Sequence, residues 1–167
     1  TRGAVASYDP DEDLLTVWLS SQDPHRPLAD LSAVLGRPKE RIRIIVRDVG
    51  GAFGSKGPLA TEAAVAAIAS MRLARPVKWI EDRSEAFVAT THGRDILGYI
   101  DIAANRDGKV LGLKMRLIAD IGAYNMLLTA AIPTLTMLMA NGTYDIPAIR
   151  TTLTEVFTNK TPTDAYR

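Results

Sequence analysis

The residues best suited to chemistry lie in one stretch, Val49-Gly50-Gly51-Ala52-Phe53-Gly54-Ser55-Lys56-Gly57. Four glycines fall within eight residues there, with one aromatic residue and one lysine among them. Glycine has no Cβ, so such a loop can take positive φ and bring its N–H groups close to a ligand. An apolar run at 42–46 leads in and an alanine-rich run from Thr61 leads out, which reads as strand, glycine loop, helix. A helix N-terminus just beyond the loop favours an anion, because its first N–H groups lack intrahelical partners. A tight turn whose glycines only relieve crowding explains the same residue types. Phe53 shifts the balance toward a ligand loop, since a large apolar residue among glycines needs a surface to pack on.

Other chemistries fit less well. A phosphate-cradling P-loop needs Gly, four residues, then Gly-Lys-Ser/Thr; here Gly54 is followed by Ser55-Lys56-Gly57. Neither a G-x-G-x-x-G fingerprint at this loop nor a G-x-S-x-G nucleophile elbow is present. The two histidines, His25 and His92, fall in loop sequence and read as surface or hydrogen-bonding residues. The chain has no cysteine, which excludes disulfides, thiolate metal sites and a cysteine nucleophile within it. Glu81, Asp82 and Glu85 lie in a segment of alternating charge and read as a salt-bridged structural element. Asp101, Asp107 and Asp120 are explained by turns and strand edges. No catalytic side chain and no metal ligand is assigned within the chain.

The elements that must position the loop follow from pattern. Strands are expected at 4–8 and 14–20, joined as a hairpin by Asp9-Pro10-Asp11-Glu12-Asp13. A polar loop holds Ser21 and Gln22. A short helix opens at Pro27, with Leu28, Leu31 and Leu35 on one face, and ends at Gly36. A strand at 41–48 delivers the chain to the glycine loop. Thr61 is the expected N-cap of a helix that runs to about Leu73 and is apolar nearly all round, hence buried. A strand at 77–82 and a mixed passage at 83–92 follow. Long strands at 97–103 and 110–119 flank the turn Asn105-Arg106-Asp107-Gly108. One or two helical pieces broken near Pro133 lie within 121–140, and a strand at 149–157 precedes a polar loop to Arg167. Strands and helices alternate early and antiparallel pairs dominate later, which suggests α+β or mixed α/β; the fold class taken is α+β, a mixed, largely antiparallel sheet with packed helices, in a single domain over 1–167.

Composition narrows the partners. At 167 residues, 47% are hydrophobic and 23% charged, as in ordinary globular chains. Lys+Arg (20) and Asp+Glu (19) nearly cancel and are dispersed, so no nucleic-acid partner is expected. Residues 121–144 carry no charge, but Gly122, Asn125, Pro133, Asn141 and Gly142 dilute them, which favours a buried helix over a membrane span. The chain starts Thr1-Arg2-Gly3 without methionine and stops at Tyr166-Arg167, so both ends read as cut from a longer polypeptide.

Taken together, five ordered stretches resemble one family. Gly50-Gly51-Ala52-Phe53-Gly54-Ser55-Lys56 is similar to the glycine loop of the molybdenum-binding large subunits of the xanthine dehydrogenase, aldehyde oxidase and carbon monoxide dehydrogenase superfamily. Arg75-Pro76-Val77-Lys78-Trp79-Ile80-Glu81-Asp82-Arg83 and Thr90-Thr91-His92-Gly93-Arg94 resemble its next signatures. Asp120-Ile121-Gly122-Ala123-Tyr124 and the final Thr158 to Arg167 stretch continue the match in order.

The resemblance implies a part of the domain that binds a molybdenum–molybdopterin cofactor, in its cytosine dinucleotide form. It assigns cofactor contact to Gln22, Gly51, Ala52, Phe53, Gly54 and Arg167, with the family's general-base glutamate outside the chain. Without it, Gln22 reads as a loop-capping amide. It further implies a cytoplasmic oxidoreductase parent of carbon monoxide or aldehyde dehydrogenase type. That parent would be a dimer of heterotrimers, with an iron–sulfur small subunit and an FAD-binding medium subunit; the isolated chain is expected to be inactive. Ala52 departs from the family glycine and requires ordinary φ or spare room. Gly57 stands where purine hydroxylases carry a substrate-binding glutamate, and no arginine lies around Leu135, which argues against a purine substrate. The alternatives from other classes are a non-catalytic anion- or nucleotide-binding module using the same loop and a structural or interaction domain.

Overall fold

The computed structural model describes residues 1–165. Residues 1–90 form one compact unit, and the described residues from Thr91 onward form a second. The first mixes helices with a partly antiparallel sheet and the second sets one described helix beside another such sheet, as the α+β expectation requires.

In the first unit, β1 (Gly3–Asp9) and β2 (Leu14–Leu19) make the expected hairpin. Asp9 shapes its turn by accepting from the amides of Asp11 and Glu12 at 2.9 and 3.2 Å. β3 (Ile42–Ile45) runs parallel to β2, and β4 (Val77–Ile80) antiparallel to β1, giving the order β3-β2-β1-β4. Alternation selects one buried face, with Ala6, Leu15 and Val17 on it. Leu31 of α1 (His25–Leu35) and Ala64, Ala66 and Ala67 of α2 (Thr61–Leu73) pack against that face. The small alanines let the helix backbone approach the sheet closely.

Several boundaries differ from expectation. His25 opens α1 rather than lying in a loop, while Gly36 ends the helix with φ 61° as its composition demands. β3 stops at Ile45, short of 48. Ala60, not Thr61, is the N-cap of α2, and no side chain caps it. This helix is buried on one face only: Val65 and Leu73 are 59% and 60% exposed. A helix lying on a sheet has one covered side, however apolar its other residues are.

In the second unit, β5 (Ile96–Ala104) pairs antiparallel with β6 (Val110–Gly122), and β7 (Ile149–Phe157) pairs parallel with β6. Asn105 accepts from the Lys109 amide at 2.8 Å and closes the turn between β5 and β6. Leu113, Leu117, Ala119 and Ile121 share one buried face of β6. The uncharged stretch yields a single helix there, α4 (Ala131–Leu138). Pro133 lies in its first turn instead of breaking it, because the first amides of a helix have no intrahelical acceptor to lose. Among the described residues no helix is long and apolar enough to cross a membrane.

Candidate cofactor-binding site

The glycine loop follows β3 and closes on itself in two short turns. The Ser55 and Gly57 amides donate to Ala52 O and Gly54 O, each at 3.1 Å. Gly51, Phe53 and Gly54 all have positive φ, at 129°, 54° and 90°. A Cβ on Gly51 would lie 2.6 Å from the Phe53 ring, so any other residue there must displace the ring as well as adopt a positive φ. Phe53 itself is a bulky L-residue in the left-handed region and is 57% exposed. Such a conformation costs about 1–3 kcal/mol and persists only where surrounding bonds impose it. Ala52 is outside the positive-φ set, so its extra Cβ meets the requirement stated from sequence.

The polar loop after β2 supplies the other wall. Gln22 Oε1 accepts from the Gly54 amide at 3.1 Å, and the Gln22 amide donates to Lys56 O at 3.2 Å. Ser21, 2% exposed, places its Oγ 3.1 Å from Lys56 O and 2.8 Å from Asp23 O. These bonds seat the Gln22 loop on the glycine loop. Ser21 was not singled out by sequence; a serine beside a glutamine in a polar loop carries no signal of its own. A Cβ on Gly57 would meet Gly54 O at 3.3 Å and stand in ordinary van der Waals contact with Gln22 Cδ and Nε2 at 3.8 Å.

This arrangement can present donors to an anionic or oxo group. Among the described residues the amides of Gly51, Ala52 and Phe53 have no hydrogen-bond partner. The same holds for Gln22 Nε2; the side chain's hydrogen bond is the one its oxygen accepts from the Gly54 amide. The oxygen-rich head of a molybdenum cofactor needs donors of this kind, so the residues fit it. Four of the assigned residues, Gly51, Ala52, Phe53 and Gly54, thus join Gln22 in one place. Arg167 lies outside the described residues. No cluster of three or more His, Cys, Asp or Glu side chains that could hold a metal ion occurs among the described residues.

The carboxylates near β4 do structural work. Glu81, 2% exposed, accepts from Arg2 Nη2 at 2.6 Å, Arg2 Nε at 3.0 Å and the Arg2 amide at 2.7 Å. Burial pushes its carboxyl up, but the Arg2 donors outweigh burial and hold it below the usual range. Asp82 and Glu85 form a capping box on α3 (Arg83–Ala89), and Glu85 also accepts from Trp79 Nε1 at 3.1 Å. Asp13 is held low chiefly by its hydrogen bond from Arg37 and then by that from Tyr8. His92 exchanges backbone bonds with the Pro162–Asp164 region, its amide donating to Pro162 O at 2.9 Å.

Comparison with known proteins places the chain in a family. The family model described as "Molybdopterin cofactor-binding domain" matches residues 1–167. The carbon monoxide dehydrogenase large chain of Hydrogenophaga pseudoflava is 39% identical over 169 residues, covering 100% of this chain and 21% of that protein. The nicotine 6-hydroxylase large subunit of Paenarthrobacter nicotinovorans is 38% identical over 177 residues, with coverage of 100% and 21%. The crystal structure of quinoline 2-oxidoreductase from Pseudomonas putida 86 superimposes with a TM-score of 0.93 at 37% identity, over 100% of this chain and 22% of that one. The chain therefore spans about a fifth of the length of the curated relatives it matches. Over its whole length it belongs to the molybdopterin cofactor-binding domain family of molybdenum hydroxylase large subunits.

Proposed function

We propose that residues 51–54 and Gln22 form one wall of a molybdenum–molybdopterin site in a larger oxidoreductase. The observation that carries this reading is the Gln22–Gly54 hydrogen bond, which joins two elements distant in sequence and leaves a row of uncommitted donors beside it. In this reading the amides of Ala52 and Phe53 and the Gln22 carboxamide N–H₂ would donate to the oxygen-rich head of the cofactor, and Arg167 would contact the cofactor. When bound, the cofactor supplies two-electron oxidation of a substrate carbon. The chain's residues orient it and stabilise its negative charge; they move no proton, and the general base lies outside the chain.

The cofactor is the cytosine dinucleotide form. The parent works with an iron–sulfur small subunit and an FAD-binding medium subunit, as a dimer of heterotrimers in the cytoplasm. Relatives similar to this chain are named for carbon monoxide, nicotine and quinoline chemistry. Gly57 offers no carboxylate for a purine, so we assign a small carbonyl-type or non-purine heterocyclic substrate. Residues 1–167 act as a single cofactor-binding domain, inactive when isolated.

The test is metal and pterin analysis of the full-length parent purified from its native host. Stoichiometric molybdenum and pterin, with cytosine released on hydrolysis, is the expected result. A parent folded but free of both overturns the reading in favour of an anion-binding module. Turnover by the isolated 167-residue chain would overturn its assignment as inactive.

A further inference from the structure

We infer that Asp164 is a positioning residue for the chain segment that runs into Tyr166 and Arg167, locking that segment to the turn at 126–129. The inference rests on the proposed contact of Arg167 with the cofactor. Asp164 is only 7% exposed. Its Oδ2 accepts from the Leu128 amide at 3.1 Å and from Thr129 Oγ1 at 3.0 Å, and its Oδ1 accepts from the Ala165 amide. Thr129, 1% exposed, in turn accepts from the Met126 amide at 2.9 Å. A buried hydroxyl thus relays one end of the turn to the carboxylate, while Leu128 delivers the other end directly.

A second carboxylate anchors the earlier part of the same segment. Asp120 Oδ1 accepts from Thr158 Oγ1 at 2.6 Å and from the Gly122 amide at 2.9 Å. Its Oδ2 lies 3.2 Å from Lys160 Nζ, which also pairs with Asp95. Asp120 O accepts from Thr163 Oγ1 at 2.8 Å. Asp120 reaches no further than Thr163. Asp164 is the last side chain among the described residues that ties the segment down before residue 166, and it alone bonds the Ala165 amide.

The chemistry requires a carboxylate. Three donors converge on two acceptor oxygens, and two of the donors are backbone amides that cannot reverse their role. An asparagine has one acceptor oxygen. Its N–H₂ would face either the Leu128 amide or the Ala165 amide, so either a tie to the turn or the local bond that sets the chain direction at Ala165 would be lost with side-chain volume unchanged.

The experiment uses the full-length holoenzyme with Asp164→Asn, Thr129→Val, Thr129→Ser and Arg167→Ala variants. The readouts are pterin lost on dialysis, the molybdenum(V) resonance spectrum after dithionite reduction, and the melting temperature. Arg167→Ala and Asp164→Asn are expected to shift the spectrum alike and to lose pterin about tenfold faster, the scale seen when an outer-shell partner of a metal site is removed. Thr129→Val should move the spectrum in the same direction, and Thr129→Ser, which keeps the relay, should match wild type. An altered Arg167→Ala beside a wild-type spectrum in both Asp164→Asn and Thr129→Val overturns the positioning role and leaves the cofactor reading standing. A wild-type Arg167→Ala overturns the cofactor contact, and the positioning role with it. If Asp164→Asn fails to fold, the two Thr129 variants decide alone.

Discussion

Gln22 accepts the Gly54 amide hydrogen bond at 3.1 Å across 32 residues of sequence, and this contact orients the Gln22 carboxamide. With Oε1 occupied, Nε2 is the group left to donate. A glutamate in its place would keep the acceptor and lose the donor; an alanine would lose both. In the full-length parent, Gln22→Ala should speed hydrogen exchange at the Gly54 amide about fivefold, the loss of a bond worth about 1 kcal/mol. Gln22→Glu should leave that exchange near wild type. Both variants should retain less molybdenum and pterin. Equal cofactor content in Gln22→Glu and wild type would show that the Nε2 donor is not used.

Gly51 and Ala52 are adjacent and have opposite tolerances. Gly51 has φ 129°, and a Cβ there would sit 2.6 Å from the Phe53 ring. Gly51→Ala must displace the ring and strain the backbone, at about 1–3 kcal/mol. Ala52→Gly adds only unfolded-chain freedom, at about 0.4–1 kcal/mol. Pterin content and loop proteolysis of the parent should therefore change markedly for Gly51→Ala and little for Ala52→Gly. The reverse order would contradict the loop geometry.

Much of this was legible in residue types, and the limits are physical. Periodicity placed β7 at Ile149–Phe157, and turn chemistry placed the hairpins at Asp9 and Asn105, because these signals are local. The burial of α2 was overestimated because composition reports what a helix could bury, not which face meets the sheet. Pro133 read as a breaker because its distance from the helix start cannot be seen in the pattern. At the site, the glycine loop was visible and so was its need for an apolar partner. That the partner of Phe53 includes the face of Gly51 was not, since a positive φ at a phenylalanine is a tertiary outcome. Gln22 alone read as a capping amide, and it does cap an amide: that of Gly54. Only the family resemblance pointed to a ligand there. The buried roles of Ser21 and Asp164 left no trace in spacing.

The Glu81–Arg2 pair should give the first unit a pH dependence of definite sign. The folded carboxyl is held below its ordinary value, against the upward push of burial, by Arg2. Its contribution is then fully present above the unfolded carboxylate range near pH 4.3, and is lost as pH falls through the lower folded value. Glu81→Ala should destabilise the β1–β4 edge by about 3 kcal/mol at neutral pH, because it strips the Arg2 guanidinium, 13% exposed, of its close hydrogen-bonded partner and leaves it the longer pairing with Glu62 at 3.9 Å. Glu81→Gln should show a smaller deficit that shrinks toward zero in acid, where wild-type Glu81 is itself protonated. Native-state hydrogen exchange of β1 and β4 amides in the parent, followed from neutral pH into acid, measures both. A deficit that grows as pH falls would contradict the assigned direction.

Gly122 tests whether the segment at 158–165 is fixed by backbone packing as well as by its carboxylates. It has φ 73°, and a Cβ there would meet Pro162 Cα at 2.5 Å, Thr161 O at 2.6 Å and Pro162 N at 2.8 Å. These are backbone atoms, and they cannot swing aside as a side chain can. Gly122 O also accepts from the Thr158 amide at 3.1 Å, so a shift would strain the bond that starts the segment. Gly108 is the matched control, with φ 84° and nothing within 4 Å of its Cβ position. Gly108→Ala should cost about 1 kcal/mol, the penalty of a left-handed L-residue alone. Gly122→Ala carries that penalty plus overpacking of about 1–3 kcal/mol. In the parent, Gly122→Ala should expose residues 158–165 to proteolysis and faster exchange while Gly108→Ala leaves them protected. Equal protection in the two variants would mean that Pro162 yields to the added methyl, and that Asp120 and Asp164 hold the segment without help from this contact.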